Sequence, residues 1–445
     1  MIKKISSYIL IFLFTLGVLL GLLVLAAMIP RDSIRDNVKE SAEYYCDRGL
    51  FTRKLEGVNA SAVDHYADSI LVAIAYQYDE ENPLESVMWS SYYNDPSKNE
   101  NTNLLTAVAE GKEANQQYLR YWHGSNTIVK PLLTCFTVKE IYILNAVAIG
   151  LLAIALIMLL VVKKAYTPAA AFALGLIATS VWFVPTTFEY TWNYMLMLII
   201  SIIGVAMSFK GKWYGVGYLF LLSGMLTNYF DFLSTETITL TVPLLLMLWI
   251  RDKNSLDNDT KISKNENITP RDYKKEILMF AGKNTLLWGI GYVGMWISKW
   301  VVAAIVLGEN TLPYVTVHIS QRLDGDVGLN KFEYIYASLA RNIKCLLPFE
   351  YGAGGVLLGV GLIVFAFYLG YVHYGKKVDK KYITVYGLIA LIPYIRFVVL
   401  HNHAYLHYFF TYRAQMATII AVVFILELLT DRRWLAHGKT KRRKP

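Results

Sequence analysis

Ten apolar blocks divide the chain, each close to the length a helix needs to cross the ~30 Å hydrocarbon core of a bilayer. They run 8–29, 141–162, 166–184, 192–209, 213–230, 232–250, 286–307, 352–371, 382–400 and 409–429. The sixth begins with the polar run Ser234-Thr235-Glu236-Thr237 and is the weakest of them. The pattern predicts an all-α, polytopic transmembrane bundle. The first block follows Lys3-Lys4, but it exceeds a signal core and ends without a small-x-small cleavage site, so it is expected to be a retained helix.

The polar stretches between blocks set the expected organisation. A first span (1–29) leads into a large extracytoplasmic loop (30–136), and five spans follow (137–250). A cytoplasmic segment (251–284), four more spans enclosing a second outer loop (285–429, loop 308–351) and a basic tail (430–445) complete the chain. Lys163-Lys164, Lys210, Lys212, Lys376-Lys377 and Lys380-Lys381 alternate so as to lie in the cytoplasm, with both termini there too. The first loop instead carries 16 acidic against 10 basic residues.

Within that loop, 34–50 and 62–78 have helical amphipathic spacing. Val63, Tyr66, Ala67, Ile70, Leu71 and Ile74 form one apolar stripe, and Asp64 and Asp68, four apart, project together beside it. The loop ends in Arg120-Tyr121-Trp122-His123-Gly124.

Composition narrows the function classes. A chain 55% hydrophobic is no ordinary soluble domain, and its net charge of +9 sits in short connections and the tail. That distribution orients a membrane protein and gives no reason to expect nucleic acid as a partner. Three cysteines, Cys46, Cys135 and Cys345, neither require nor exclude a disulfide, and Asn59-Ala60-Ser61 formally matches a glycosylation acceptor.

Charges inside apolar spans are costly and mark candidate sites. Lys299, Arg396 and Arg413 fall at one depth in three spans, where they could hold a phosphate, the arginines in bidentate fashion. Lys299 could instead pair with Asp231, at the end of the fifth span. His403 and His407, four apart, could share a helix face. They lack a third ligand, so no metal is assigned and hydrogen bonding to substrate is expected. Trp122, beside Arg120 and His123, is a candidate for stacking on a sugar. Asp64 and Asp68, with Asp32 and Asp36 as rivals after the first span, are the candidate general bases.

This arrangement resembles the GT-C superfamily of membrane glycosyltransferases, in its first span, its large outer loop with Asp64-His65-Tyr66-Ala67-Asp68, and its cationic outer cavity. It is also similar to a group of bacterial multi-pass proteins of that type, in Tyr121-Trp122-His123-Gly124, Thr227-Asn228-Tyr229-Phe230-Asp231-Phe232-Leu233, Gly291-Tyr292-Val293-Gly294-Met295-Trp296 and Thr411-Tyr412-Arg413. The resemblance implies transfer of a sugar from a polyprenyl-phosphate donor to a cell-envelope glycan, polymer or glycolipid at the outer face, with no resident cofactor assigned. Family acids usually follow soon after the first span, a position matching Asp32 or Asp36, and no large soluble C-terminal domain is present. A flippase for a lipid-linked glycan and a glycan polymerase are the alternatives.

Overall fold

In a computed structural model, residues 2–231, 233–262, 273–311, 313–314, 329–372 and 380–430 are described. The basic tail from residue 431, the middle of 251–284, the middle of 308–351, and Lys376-Lys377 lie outside them. The described chain is mostly helical. Its helices are α1 (Ile2–Ala27), α2 (Arg35–Arg48), α3 (His65–Gln77), α4 (Pro83–Trp89), α5 (Glu100–Glu110), α6 (Asn126–Leu133), α7 (Val138–Val162), α8 (Tyr166–Ala178) and α9 (Phe188–Phe209). There follow α10 (Val216–Phe230), α11 (Ile238–Ile262), α12 (Tyr273–Leu307), α13 (Lys331–Lys344), α14 (Gly352–Val372), α15 (Lys380–Val399), α16 (His401–Leu406), α17 (Tyr408–Thr411) and α18 (Met416–Leu429). One short hairpin, β1 (Phe51–Arg53) with β2 (Ala62–Asp64), pairs antiparallel in the register Phe51↔Asp64.

Each of the ten apolar blocks is at least partly helical, and seven form helices long and apolar enough to cross a membrane. The other three differ for separate reasons. The third block stops as a helix at Ala178 and continues as a 3-10 turn over Val181–Thr186. The fifth gives only the 15-residue α10. In the sixth, the polar Ser234–Thr237 run delays helix formation to Ile238, and the apolar part of α11 ends at Ile250. Residues Ile238 to Ile250 are nevertheless buried without exception, making α11 the centre of the bundle, as a helix apolar on all sides must be. Peripheral α1 and α14 expose Leu13, Phe14, Leu357 and Phe367, the surface expected of a multi-pass membrane protein.

The tightest pairing is that of α10 with α12, and glycine makes it so. A Cβ at Gly224 would sit 2.0 Å from the Trp288 carbonyl oxygen, and one at Gly291 would sit 2.3 Å from that of Leu221. Small residues that let backbones touch are the usual cement between helices in lipid, where apolar burial offers little drive.

The long first loop folds into a helical cap of α2 to α6. Its buried Ile34, Val38, Leu71, Ala75, Leu104 and Val129 join Ile141, Phe188 and Trp192 of α7 and α9 in one core. The single apolar stripe expected on α3 is too narrow a description. Nearly the whole of α3 is buried, because α5, α6 and α9 cover it on several sides. Two lysines tie cap to bundle by hydrogen-bonding carbonyls at helix C-termini. Lys130 Nζ donates to Ala27 O (3.1 Å) at the end of α1, and Lys299 Nζ donates to Val87 O (2.8 Å) and Met88 O (3.0 Å) in α4. Such carbonyls have no partner within their own helix and carry its negative dipole end, so a buried ammonium is well placed there.

Candidate active site

A small cleft with a cavity volume of about 60 Å³ lies where the cap meets α9 and α16. Its polar walls are Asp64, His123, Glu189, His403 and His407, and its aromatic walls Tyr66, Tyr118 and Tyr121. Residues far apart in sequence, from the first loop, the third-to-fourth turn and the ninth-to-tenth connection, thus converge on one space.

Asp64 sits at the N-cap of α3, where its Oδ1 accepts from Ala67 N (2.9 Å). A cap residue stands outside the helix proper, so Asp64 and Asp68 do not project together as a helical pair. Asp64 faces the cleft and is 2% exposed. Burial pushes its carboxyl up from 3.8 to about 6, against hydrogen bonds from Ala67 N and from the Glu189 carboxyl. The Asp64–Glu189 contact requires one proton between two acids. Glu189 Oε2 is buried and has no partner.

The strand and turn before Asp64 are held from the bundle. Glu350 accepts from Asn59 N (3.0 Å) and Ala60 N (2.7 Å), and Arg413 Nη2 donates to Ala60 O (3.0 Å). Tyr190 Oη donates to Ala62 O (3.3 Å), and Tyr408 Oη to Asn59 Oδ1 (3.1 Å). Asp64 is therefore positioned by membrane helices as much as by its own loop.

Asp68 points elsewhere. It accepts from Tyr142 Oη, from Thr187 Oγ1 (2.9 Å) and from Phe188 N (3.0 Å), closing the N-terminus of α9. Burial raises its carboxyl to about 7 despite these bonds. With its oxygens so occupied, Asp68 serves as an anchor between α3, α7 and α9. Asp32 is on the surface, its side chain 84% exposed and paired with Arg35 at 3.3 Å, and Asp36 is exposed in the first turn of α2.

The three cations expected to share a phosphate do not converge on the cleft. Lys299 is engaged with the α4 carbonyls. Arg396 pairs with Glu236 at 2.6 Å and also donates to backbone carbonyls of Leu233 and Ser234. Arg413 donates to Ala60 O and Phe409 O, with its guanidinium 4.7 Å from the Tyr190 ring centre. Charges at one membrane depth have each found a different partner. Asp231 accepts from Asn193 Nδ2 (2.6 Å) and from Ser234 N and Oγ, and so closes the turn before α11 without meeting Lys299.

The end of the first loop is bent by two adjacent residues. His123 takes a positive φ of 52°, and Gly124 follows because a Cβ there would lie 2.3 Å from the Tyr229 ring. This bend turns the His123 ring into the cleft, with Nε2 against Tyr118 O at 3.0 Å. Burial, helped by the Lys299 charge, lowers His123 to about 3, so the ring is neutral at ordinary pH. Its Nε2–H donates to the carbonyl. Trp122, 1% exposed, faces the other way and donates to Met295 O (2.8 Å), so it is core and offers no stacking face. The guanidinium of Arg120 lies 5.5 and 5.6 Å from the rings of Tyr118 and Tyr121, both on the cleft wall. His403 and His407 do share a helix face, their ring centres 4.7 Å apart. Among the described residues no group of three or more His, Cys, Asp or Glu is arranged to hold a metal ion.

Glu189 is visible in the sequence as a carboxylate in the turn between the third and fourth spans, but without a role there. Glu350 is not singled out at all, since only the fold brings it to Asn59. Comparison with protein-family models, with curated proteins and with solved structures returned no match, so the site rests on its own geometry.

Proposed function

We propose that this chain is a GT-C-type glycosyltransferase, transferring a sugar from a polyprenyl-phosphate donor to a glycan, polymer or glycolipid acceptor at the outer face of the membrane. The observation that carries the reading is the cleft itself. A desolvated carboxyl pair, Asp64 with Glu189, faces three histidines and three tyrosines at the seam between cap and bundle. Asp64 is the general base, with a pKa near 6 suited to neutral operation. It takes the proton of an acceptor hydroxyl whose oxygen bonds to the anomeric carbon, while the bond from that carbon to the phosphate oxygen breaks. Polyprenyl phosphate leaves and the configuration inverts. His123, on the cleft wall, orients a substrate hydroxyl. The leaving phosphate is assigned to His403 and His407, which stand on the cleft wall.

Turnover of polyprenyl-phosphate sugars by the purified protein tests this. Asp64→Asn should lower kcat/KM by about 10²–10⁴-fold, the usual contribution of a general base, with the fold retained, while Asp32→Asn should leave it unchanged. Full activity in the Asp64 variant removes the base from the mechanism. Absence of turnover, together with copurification of a complete lipid-linked glycan, would favour a flippase.

A further inference from the structure

A second cleft lies on the outer cap, close to where α1 ends. Its cavity volume is about 490 Å³, open to solvent on one side, and its walls include Arg31, Gln77, Asp79, Glu85, Trp89 and Glu113. The size suits a ligand of a few rings. Three carboxylates against one guanidinium make it a poor home for a phosphate or a carboxylate ligand. That guanidinium is itself paired with Glu113 at 3.3 Å. Asp79 stays ionised, because hydrogen bonds from the Asn82 amide and from the backbone N–H groups of Glu81 and Asn82 hold it below the usual carboxylate range.

Gln77 is the telling residue. It is 5% exposed, and its Nε2 donates to Lys112 O (2.9 Å). Its Oε1 is buried on the cleft wall with no partner. A buried amide oxygen left unpaired costs roughly 1–3 kcal/mol, which a ligand donor would recover. Beside it stands Trp89, partly exposed, an aromatic surface for the C–H face of a ring. The backbone of Trp89 also accepts from Tyr118 N (3.2 Å), so this wall backs directly onto the wall of the Asp64 cleft.

We infer that the cleft lined by Gln77, Glu85, Trp89 and Glu113 binds an uncharged or amino-bearing saccharide, the acceptor glycan of the transfer. Acceptor oxygens dominate the walls, so the ligand must be rich in hydroxyl or ammonium donors. The word acceptor rests on the transferase reading, whereas saccharide binding does not.

Calorimetric titration of the full-length protein in detergent, without donor, tests the site. The probes are chitotetraose, its de-acetylated glucosamine tetramer, and tetragalacturonate. One of the first two should bind, and the galacturonate should not. Gln77→Leu should weaken binding roughly tenfold, the equivalent of one lost hydrogen bond. Glu113→Gln, on an exposed side chain with no role in packing, should weaken the glucosamine probe without affecting the fold. Asp64→Asn should bind as the parent does, so a failed turnover assay and a failed binding assay remain separate results. The proposal is overturned if neither hexosamine probe binds, if galacturonate binds as tightly, or if both cleft variants bind unchanged.

Discussion

At the scale of single residues, burial gives the charged groups their roles. Asp64 and Asp68 are both raised above the ordinary carboxylate value, so the folded protein holds their protons more tightly than the unfolded chain does. Their contribution to stability is therefore full below about pH 4 and is withdrawn as pH rises through about 6 to 7. The ionised Asp64 that the proposed transfer needs is the form that folding disfavours. A pH–rate profile should show kcat/KM rising with pH through about 6. Glu189→Leu, which removes a hydrogen bond to the ionised form, should move that limb upward, while Glu189→Gln, which can still donate, should move it less. Asp64→Asn should leave the melting temperature at pH 8 unchanged or raised while activity collapses.

Lys299 separates two roles by a different readout. Lys299→Met leaves the Met88 carbonyl without a donor, at a cost of about 1–3 kcal/mol, while Val87 O keeps only its bond from Ser90 Oγ (2.9 Å). The melting temperature in detergent should fall, with the KM for donor unchanged. A raised donor KM at an unaltered melting temperature would return Lys299 to phosphate binding.

At the scale of elements, periodicity and turn chemistry account for much of what forms. The capping box Thr137/Glu140 opens α7, and Asn99 caps α5. Gly224 and Gly291 allow α10 and α12 to meet backbone to backbone, a contact that no hydrophobic pattern announces. Gly291→Ala should lower thermal stability by about 1–3 kcal/mol, as overpacking does. Gly282→Ala on the same helix, where an added Cβ meets nothing within 4 Å, should be neutral or mildly stabilising. Equal melting temperatures for the two variants would show that the close contact is absent.

For the whole molecule, the cap and bundle form one unit, joined by the Lys130 and Lys299 ties and by the Glu350 and Arg413 grip on the strap before Asp64. The proposed orientation puts the cap outside. In intact cells, a membrane-impermeant maleimide should label the exposed Cys135 at the end of the cap, but not a cysteine placed at Lys210 in a cysteine-free background. Labelling at Lys210 with protection at Cys135 would invert the topology.

The helical character and seven of the apolar spans were legible in the sequence because each depends on local composition and on periodicity within one segment. Three shorter blocks departed from the pattern, where Ser234–Thr237 or an early stop at Ala178 intervened. Asp64, His123, His403 and His407 were legible as chemistry, and their meeting in one cleft was not. The partners of Lys299, Arg396 and Arg413 were also hidden, since equal depth in a membrane says nothing about rotation around each helix axis. The sequence by itself determined most of the helical segments and offered a set of candidate polar residues. Only the tertiary structure decided that Asp64 faces Glu189 while Asp68 closes α9, because four residues of separation fix a direction only inside a helix, and Asp64 stands at its cap.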